Sequence, residues 1–404
     1  MLAAISRGTS MLISAWFAAA LALTPSTAAA HLESAIPGAR AGDPKVVTLA
    51  TPADVHEPQA AVDAKGRVFV VYASTELVSM SVSNDAGASF GAPVAVGRIG
   101  KIAVGMRRGP RVVATPTAVV VSAIGGARGG GNDGDLVAWR STTGGVSWGA
   151  PARVSDLPGS AREGLHAMAA GAKGEVACAW IDVRSGKAEI YCALSSDDGQ
   201  SFGANRLVYH SPDGSVCECC HPSVAIDAQG VLYVMFRNQL DGARDMYITD
   251  SKDGGKTFST ARRLGTGTWK IAACPMDGGA LAIDPEGRVA SIWRREATIY
   301  RSEIAGSEVS EHELAPGEQP WIAASGRGLF TTWLAKRGGE LWVLAPRTST
   351  PAKLADEASD PMLAGPSDGS TPLIAVWEST SKGSPGLRVA RLDHEATAVK
   401  AKDD

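Results

Sequence analysis

One recurring octapeptide constrains this chain more than any other feature. It reads Ser83-Asn84-Asp85-Ala86-Gly87-Ala88-Ser89-Phe90 and returns as Ser195 to Phe202 and as Ser251 to Phe258. A fourth copy, Ser141 to Trp148, has Thr143 where the others have aspartate. The pattern Ser-x-Asp-x-Gly-x-Ser/Thr-aromatic is a turn with a mechanism. The Asp side chain can accept from nearby backbone N–H groups. The Gly supplies a positive φ where the chain reverses. A turn repeated at this spacing requires a repeated unit of strands around it.

A second repeat lies upstream of each turn. Pro58 to Tyr72 and Pro222 to Phe236 both read as strand, Asp-x-x-Gly turn, strand, and Ala280 to Trp293 repeats the pattern. Weaker copies begin near Pro110, Leu165, Pro320 and Pro361. Seven units result. The chain holds 46 Gly and shows no long helical periodicity, so many short strands joined by tight turns are expected. The last unit, ending Gly386 to Leu392, lacks its own outer strand. Lys45 to Ala50 can supply it from the N-terminal side, which removes an open edge.

The octapeptide is the Asp-box, and the chain resembles the sialidase superfamily of Asp-box (bacterial neuraminidase) repeat proteins. The resemblance implies an all-β, sialidase-like β-propeller. The family has six blades and the repeat count here is seven. It covers residues 44–394, with a signal peptide at 1–30 and tails at 31–43 and 395–404. In such a propeller the Asp-boxes are scaffold turns on one face. A binding site belongs on the opposite face, where loops enter the inner strands.

The first thirty residues support the signal peptide. Arg7 is their only charge, Met11 to Leu23 is a short apolar run, and Thr27-Ala28-Ala29-Ala30 suits cleavage. A periplasmic or secreted protein is expected. No segment is long enough for a membrane span. A net charge of -3 with no basic tract argues against nucleic acid.

Phase in the repeat names the residues of the mouth. Entry loops carry His56, Glu57, Arg108, His166 and Asp277; loops after the second strands carry Arg237, Arg244, Asp245 and Arg295. These nine are the candidate ligand-binding residues. Superfamily enzymes grip a sugar carboxylate with arginines, and Arg108, Arg237 and Arg295 are the candidates that the resemblance implies. Those enzymes also use a tyrosine nucleophile from a late blade. Here no Tyr follows Tyr300, and His56-Glu57-Pro58 replaces the family's Arg-Ile-Pro entry.

All six Cys fall between 178 and 274. Cys178 and Cys192 flank a turn at Ser185-Gly186, and a cross-strand disulfide is expected of an exported chain. Cys217, Cys219, Cys220, His221, Cys274 and Met276 enter adjacent inner strands. Two readings stand for them: disulfides that include Cys274, or a copper or zinc site of thiolate, thioether and imidazole ligands. Cleavage after Ala30 would expose His31, and His31 to Ala39 resembles the mature start of CopC-type periplasmic copper-binding proteins. The expected function is a non-hydrolytic propeller that binds a small molecule, glycan or metal at its Cys/His-bearing mouth. The alternatives are an exo-α-sialidase or other glycoside hydrolase, and a protein-interaction propeller.

Overall fold

The computed structural model describes residues 44–52, 54–305, 308–366, 370 and 372–392. The expected signal peptide, His31 and both tails lie outside the described residues. Among the described residues there is no α-helix, and none is part of a helix able to cross a membrane. The described residues form six antiparallel sheets. The largest has seven strands and contains two four-stranded units sharing one strand, Ala352–Ala364. The first half of that strand pairs with Gly339–Leu344, and the second half pairs with Ile374–Ser379.

Seven inner strands follow one another around a closed ring. They are His56–Val62, Arg111–Ala114, His166–Ala170, Ser223–Ile226, Ala280–Ile283, Glu318–Ser325 and the second half of Ala352–Ala364; each packs on the next and the last on the first. They enclose a cavity of about 240 Å³ lined by Gln59, Arg111, Ala167, His221, Trp321 and Met362 among others. Ring closure uses the N-terminal segment as expected. Val46–Thr48 pairs antiparallel with Gly386–Arg391, Val47 opposite Val389.

The second strand of each unit is buried on both faces, which explains its continuous apolar run. Val68–Ala73 is wholly inaccessible. Six of the seven second strands bury a large aromatic near the same point: Tyr72, Trp180, Phe236, Trp293, Trp333 and Trp377. Unit two has Ala123 there, and Trp139 of its third strand packs in the cluster instead.

The Asp-boxes are turns. Ser195 Oγ donates to Asp197 Oδ1 at 2.6 Å and accepts from the Gly199 N–H at 2.9 Å. The Ser201 N–H and hydroxyl also donate to Asp197; against some desolvation, the bonds from Ser195 and Ser201 hold its carboxyl down at about 2. Thr143 copies this geometry with a hydroxyl, accepting from the Ser147 N–H at 2.9 Å. Asp198 N–H donates to Gly174 O, so the boxes sit on the face of the first hairpin turns, away from the inner-strand entries.

One sequence expectation fails on register. Cys178 stands opposite Ala193 and Cys192 opposite Ala179. The one-residue offset sends the two side chains to opposite faces of the sheet. Cys178 packs with Trp180 and Leu136, whereas Cys192 packs with Phe236 and Val234. Both are free buried thiols, and no cross-strand disulfide forms. Burial pushes the Cys192 thiol up to about 12.

Candidate functional site

The entries to the inner strands are strained. Glu57, Gln319 and Asp360 have φ of 58°, 50° and 49°, and each precedes a proline. Non-glycine residues avoid this region, and a following proline favours extended backbone instead. The three positions coincide with register shifts between His56 and Gln59, Glu318 and Trp321, and Ser359 and Met362. Gly109, before Pro110, has φ of 90°, and a Cβ there would lie 2.6 Å from Glu57 Cβ. The kinked residues Glu57, Gln319 and Asp360 carry buried polar side chains at these entries. Strain held repeatedly at one end of a fold is a mark of a working site.

The inward side chains form a connected polar arc. Asp277 Oδ2 accepts from the Gln319 N–H at 2.9 Å. Gln319 Nε2 donates to Asp360 Oδ1, and the Asp360 N–H donates to Gln319 Oε1, both at 2.9 Å. Arg107 lies across the arc. Its Nη1 donates to Pro361 O at 2.6 Å and its Nη2 to Gln319 O at 2.9 Å, and its guanidinium carbon is 5.0 Å from the Trp321 ring centroid. Arg107 is almost fully buried, and burial lowers its pKa against the attraction of Asp360, Asp277 and Glu57.

Glu57, Asp360 and Glu378 each offer a carboxylate oxygen, all within 4.8 Å of one another. Glu57 is 0 % exposed, and neither carboxyl oxygen has a hydrogen-bond partner among the described residues. Burial, then the charges of Asp360 and Glu378, raise its pKa well above the usual carboxylate range, and Arg111 and Arg107 oppose this. Burial raises Asp360 and Asp277 as well. Glu378 is the member that reaches the surface. It accepts from the Glu57 N–H at 2.6 Å and lies 3.2 Å from His56 Nδ1, and that contact raises the His56 pKa.

Several expected ligand contacts are already occupied. Arg237 donates to the carbonyls of Asp277, Arg244 and Arg294, so it fixes loops rather than gripping a carboxylate. Arg108 is held by Glu163 at 3.0 Å. Arg295 forms a bidentate pair with Glu311 at 2.7 and 3.0 Å and lies over Tyr300. These three therefore do not form a carboxylate clamp. Asp245 accepts from the Trp269 N–H at 2.8 Å and pairs with Arg263. His166 is buried against Ser122 Oγ at 2.9 Å, and burial lowers its pKa well below that of free imidazole.

All six tyrosines, Tyr72, Tyr191, Tyr209, Tyr233, Tyr247 and Tyr300, lie on second, third or fourth strands. None stands at an inner-strand entry, where the family's nucleophile would be needed. The sequence signal for the arc was the x-Pro at the strand entries. Repeat phase also puts Arg107, Asp360 and Glu378 at the mouth, although charged rims are common and they are not among the nine candidates; Gln319 is neutral and carries no such signal.

The cysteines divide. Cys217 Sγ is 3.3 Å from Cys220 Sγ and 3.7 Å from Cys219 Sγ, all three buried, with Met276 packed on them. Cys274 is exposed and lies outside this group. His221 also lies outside it. Its ring is buried beside Trp321 at 6.3 Å, on the channel side, and neither nitrogen has a described partner. Of the six residues expected to share disulfides or a copper or zinc site, the structure brings together three thiols and one thioether.

A BNR repeat-like domain model matches residues 109–289. No curated protein matches the sequence. Among solved structures, the chain is similar to a polysaccharide lyase of family 25, an ulvan lyase bound to a sulfated disaccharide repeat, at 11% identity and a TM-score of 0.56, covering 87% of this chain and 96% of that one. It is also similar to the Penicillium chrysogenum α-L-arabinanase complexed with arabinobiose (13% identity, TM-score 0.51, 86% and 94% covered). A Hadza microbial sialidase gives 15% identity, a TM-score of 0.50, and 83% and 75% coverage. The Asp-box turns, the ring of inner strands and these likenesses together show a sialidase-like β-propeller fold with a BNR repeat-like domain over residues 109–289.

Proposed function

We propose that the protein is an exported, carbohydrate-active propeller that binds a glycan at the channel mouth and cleaves a linkage in it by acid–base chemistry. The observation that carries this reading is the carboxyl trio of Glu57, Asp360 and Glu378 within 4.8 Å. Cleavage of a glycosidic bond needs a carboxyl group that still holds its proton near neutrality. Glu57 and Asp360, raised by burial, keep proton inventory behind Glu378. Glu378 reaches the surface with His56 beside it and is the member placed to touch substrate. Sugar-cleaving enzymes share this fold, which supports the substrate class at the level of architecture. Tyrosine-nucleophile sialidase chemistry has no candidate at this mouth, so sialic acid is not the favoured substrate.

A panel of fluorogenic glycosides, arabinan and sulfated polyuronates tests the proposal. Reducing-end release reports hydrolysis and absorbance of an unsaturated uronate reports elimination. The account expects product from at least one member and loss of that product with Glu378→Gln. Equal product from Glu378→Gln would overturn it.

A further inference from the structure

The thiol cluster beside the mouth is not used by the carboxyl chemistry. Cys217, Cys219 and Cys220 are brought together by a turn at 218–220, and the segment is pinned where the Cys217 N–H donates to Arg237 O at 3.0 Å. Val216 makes a bridge to Asn238 just before it. The three sulfurs are therefore fixed by backbone rather than by chance contact of surface side chains.

We propose that Cys217, Cys219 and Cys220 form a three-thiolate site for one thiophilic ion of the copper(I) class, with the Met276 thioether beside it. The Cys217 sulfur lies 3.3 and 3.7 Å from the other two, and all three lie within 4.8 Å of one another, close enough to share one ion. Thiolate and thioether donors suit copper(I), whereas structural zinc takes four ligands and is not served by a thioether. Neither His221 nor any carboxylate is in the group. Arg244 Nη1 donates to Cys217 Sγ at 3.2 Å and supplies positive charge against the thiolates. Binding releases thiol protons to solvent and changes no oxidation state. A disulfide account fits less well. Three thiols cannot pair completely among themselves, and Cys274 is outside the sulfur group.

The test loads the full-length mature protein anaerobically with copper(I) in competition with bicinchoninate, and in parallel with zinc(II) against a chromogenic chelator. One copper(I) per chain is expected, with a thiolate-to-metal absorption band. Cys217→Ser should lose it, Met276→Leu should weaken it at least tenfold, and Cys274→Ser should retain it. Circular dichroism checks that each variant is folded. Retention of zinc but not copper(I), unchanged copper(I) binding by Cys217→Ser, or a disulfide within the trio in protein isolated without reductant would each overturn the proposal. None of these outcomes bears on glycan cleavage.

Discussion

Glu57 donates its backbone N–H to Glu378 at 2.6 Å while its own carboxyl, buried and less than 4.8 Å away, has no hydrogen-bond partner among the described residues. One residue thus fixes the surface carboxylate with its backbone and loads it electrostatically with its side chain. Two acids so close cannot both ionise freely.

Stability should record this. The Glu57 pKa is raised in the folded state, so between its ordinary value and the folded value the native protein holds a proton that the unfolded chain has lost. Stability is then highest at low pH on this account and falls as pH rises through that window. Glu57→Gln removes the term. Its melting temperature at neutral pH should exceed that of wild type. The gain should shrink towards pH 4. Calorimetry at several pH values checks both; a lower melting temperature at neutral pH would contradict the raised pKa.

Arg107 is predicted to be indispensable to the ring. Arg107→Met would leave Pro361 O and Gln319 O without their donors and Asp360, Asp277 and Glu57 without a shared cation. Breaking a buried charge network costs roughly 3–5 kcal/mol. Urea unfolding should show that loss. A change below about 1 kcal/mol would mean the arc is not tied through this residue.

The Asp-boxes should matter for stability alone. Asp197→Ala removes three hydrogen bonds from Ser195 and Ser201 and should cost roughly 1–3 kcal/mol. Because the Asp197 pKa is held down at about 2, its contribution is full above about pH 4 and is lost as pH falls through 2. Ligand binding at the mouth should be unchanged, which equilibrium titration can check.

Cys178 and Cys192 should remain unlinked even in an oxidising buffer. Alkylation without reductant should label neither in the native state, since both are buried, and both after unfolding. A mass two hydrogens lower for a peptide pair joining them would contradict the register.

Much of the architecture was legible in the sequence because repeats carry phase. The octapeptides placed the outer turns, and the Asp-x-x-Gly hairpins placed the inner strands, including the closing role of Val46–Thr48. Phase also led to the mouth, where His56, Glu57 and Asp277 do meet other polar groups. It could not show how each group is used. Arg237 looks like a carboxylate binder in sequence, but its donors go to loop carbonyls. The Cys178–Cys192 pairing fails because the register sets Cys178 opposite Ala193, one residue past Cys192, and in a sheet one residue is a change of face. Gln319 was missed because its role is geometric: it turns inward at a positive φ before Pro320 and bridges Asp277 to Asp360.

The account rests on the carboxyl trio acting on a sugar linkage, and the pH–rate profile tests that most directly. On whichever glycan is turned over, kcat/KM should be measured across pH for wild type, Glu378→Gln and Glu57→Gln. The account predicts a rate lower by about 100-fold or more in Glu378→Gln, in the range of one lost acid–base group. It predicts a displaced limb in Glu57→Gln with an intact fold. Superimposable profiles for the three proteins would contradict it.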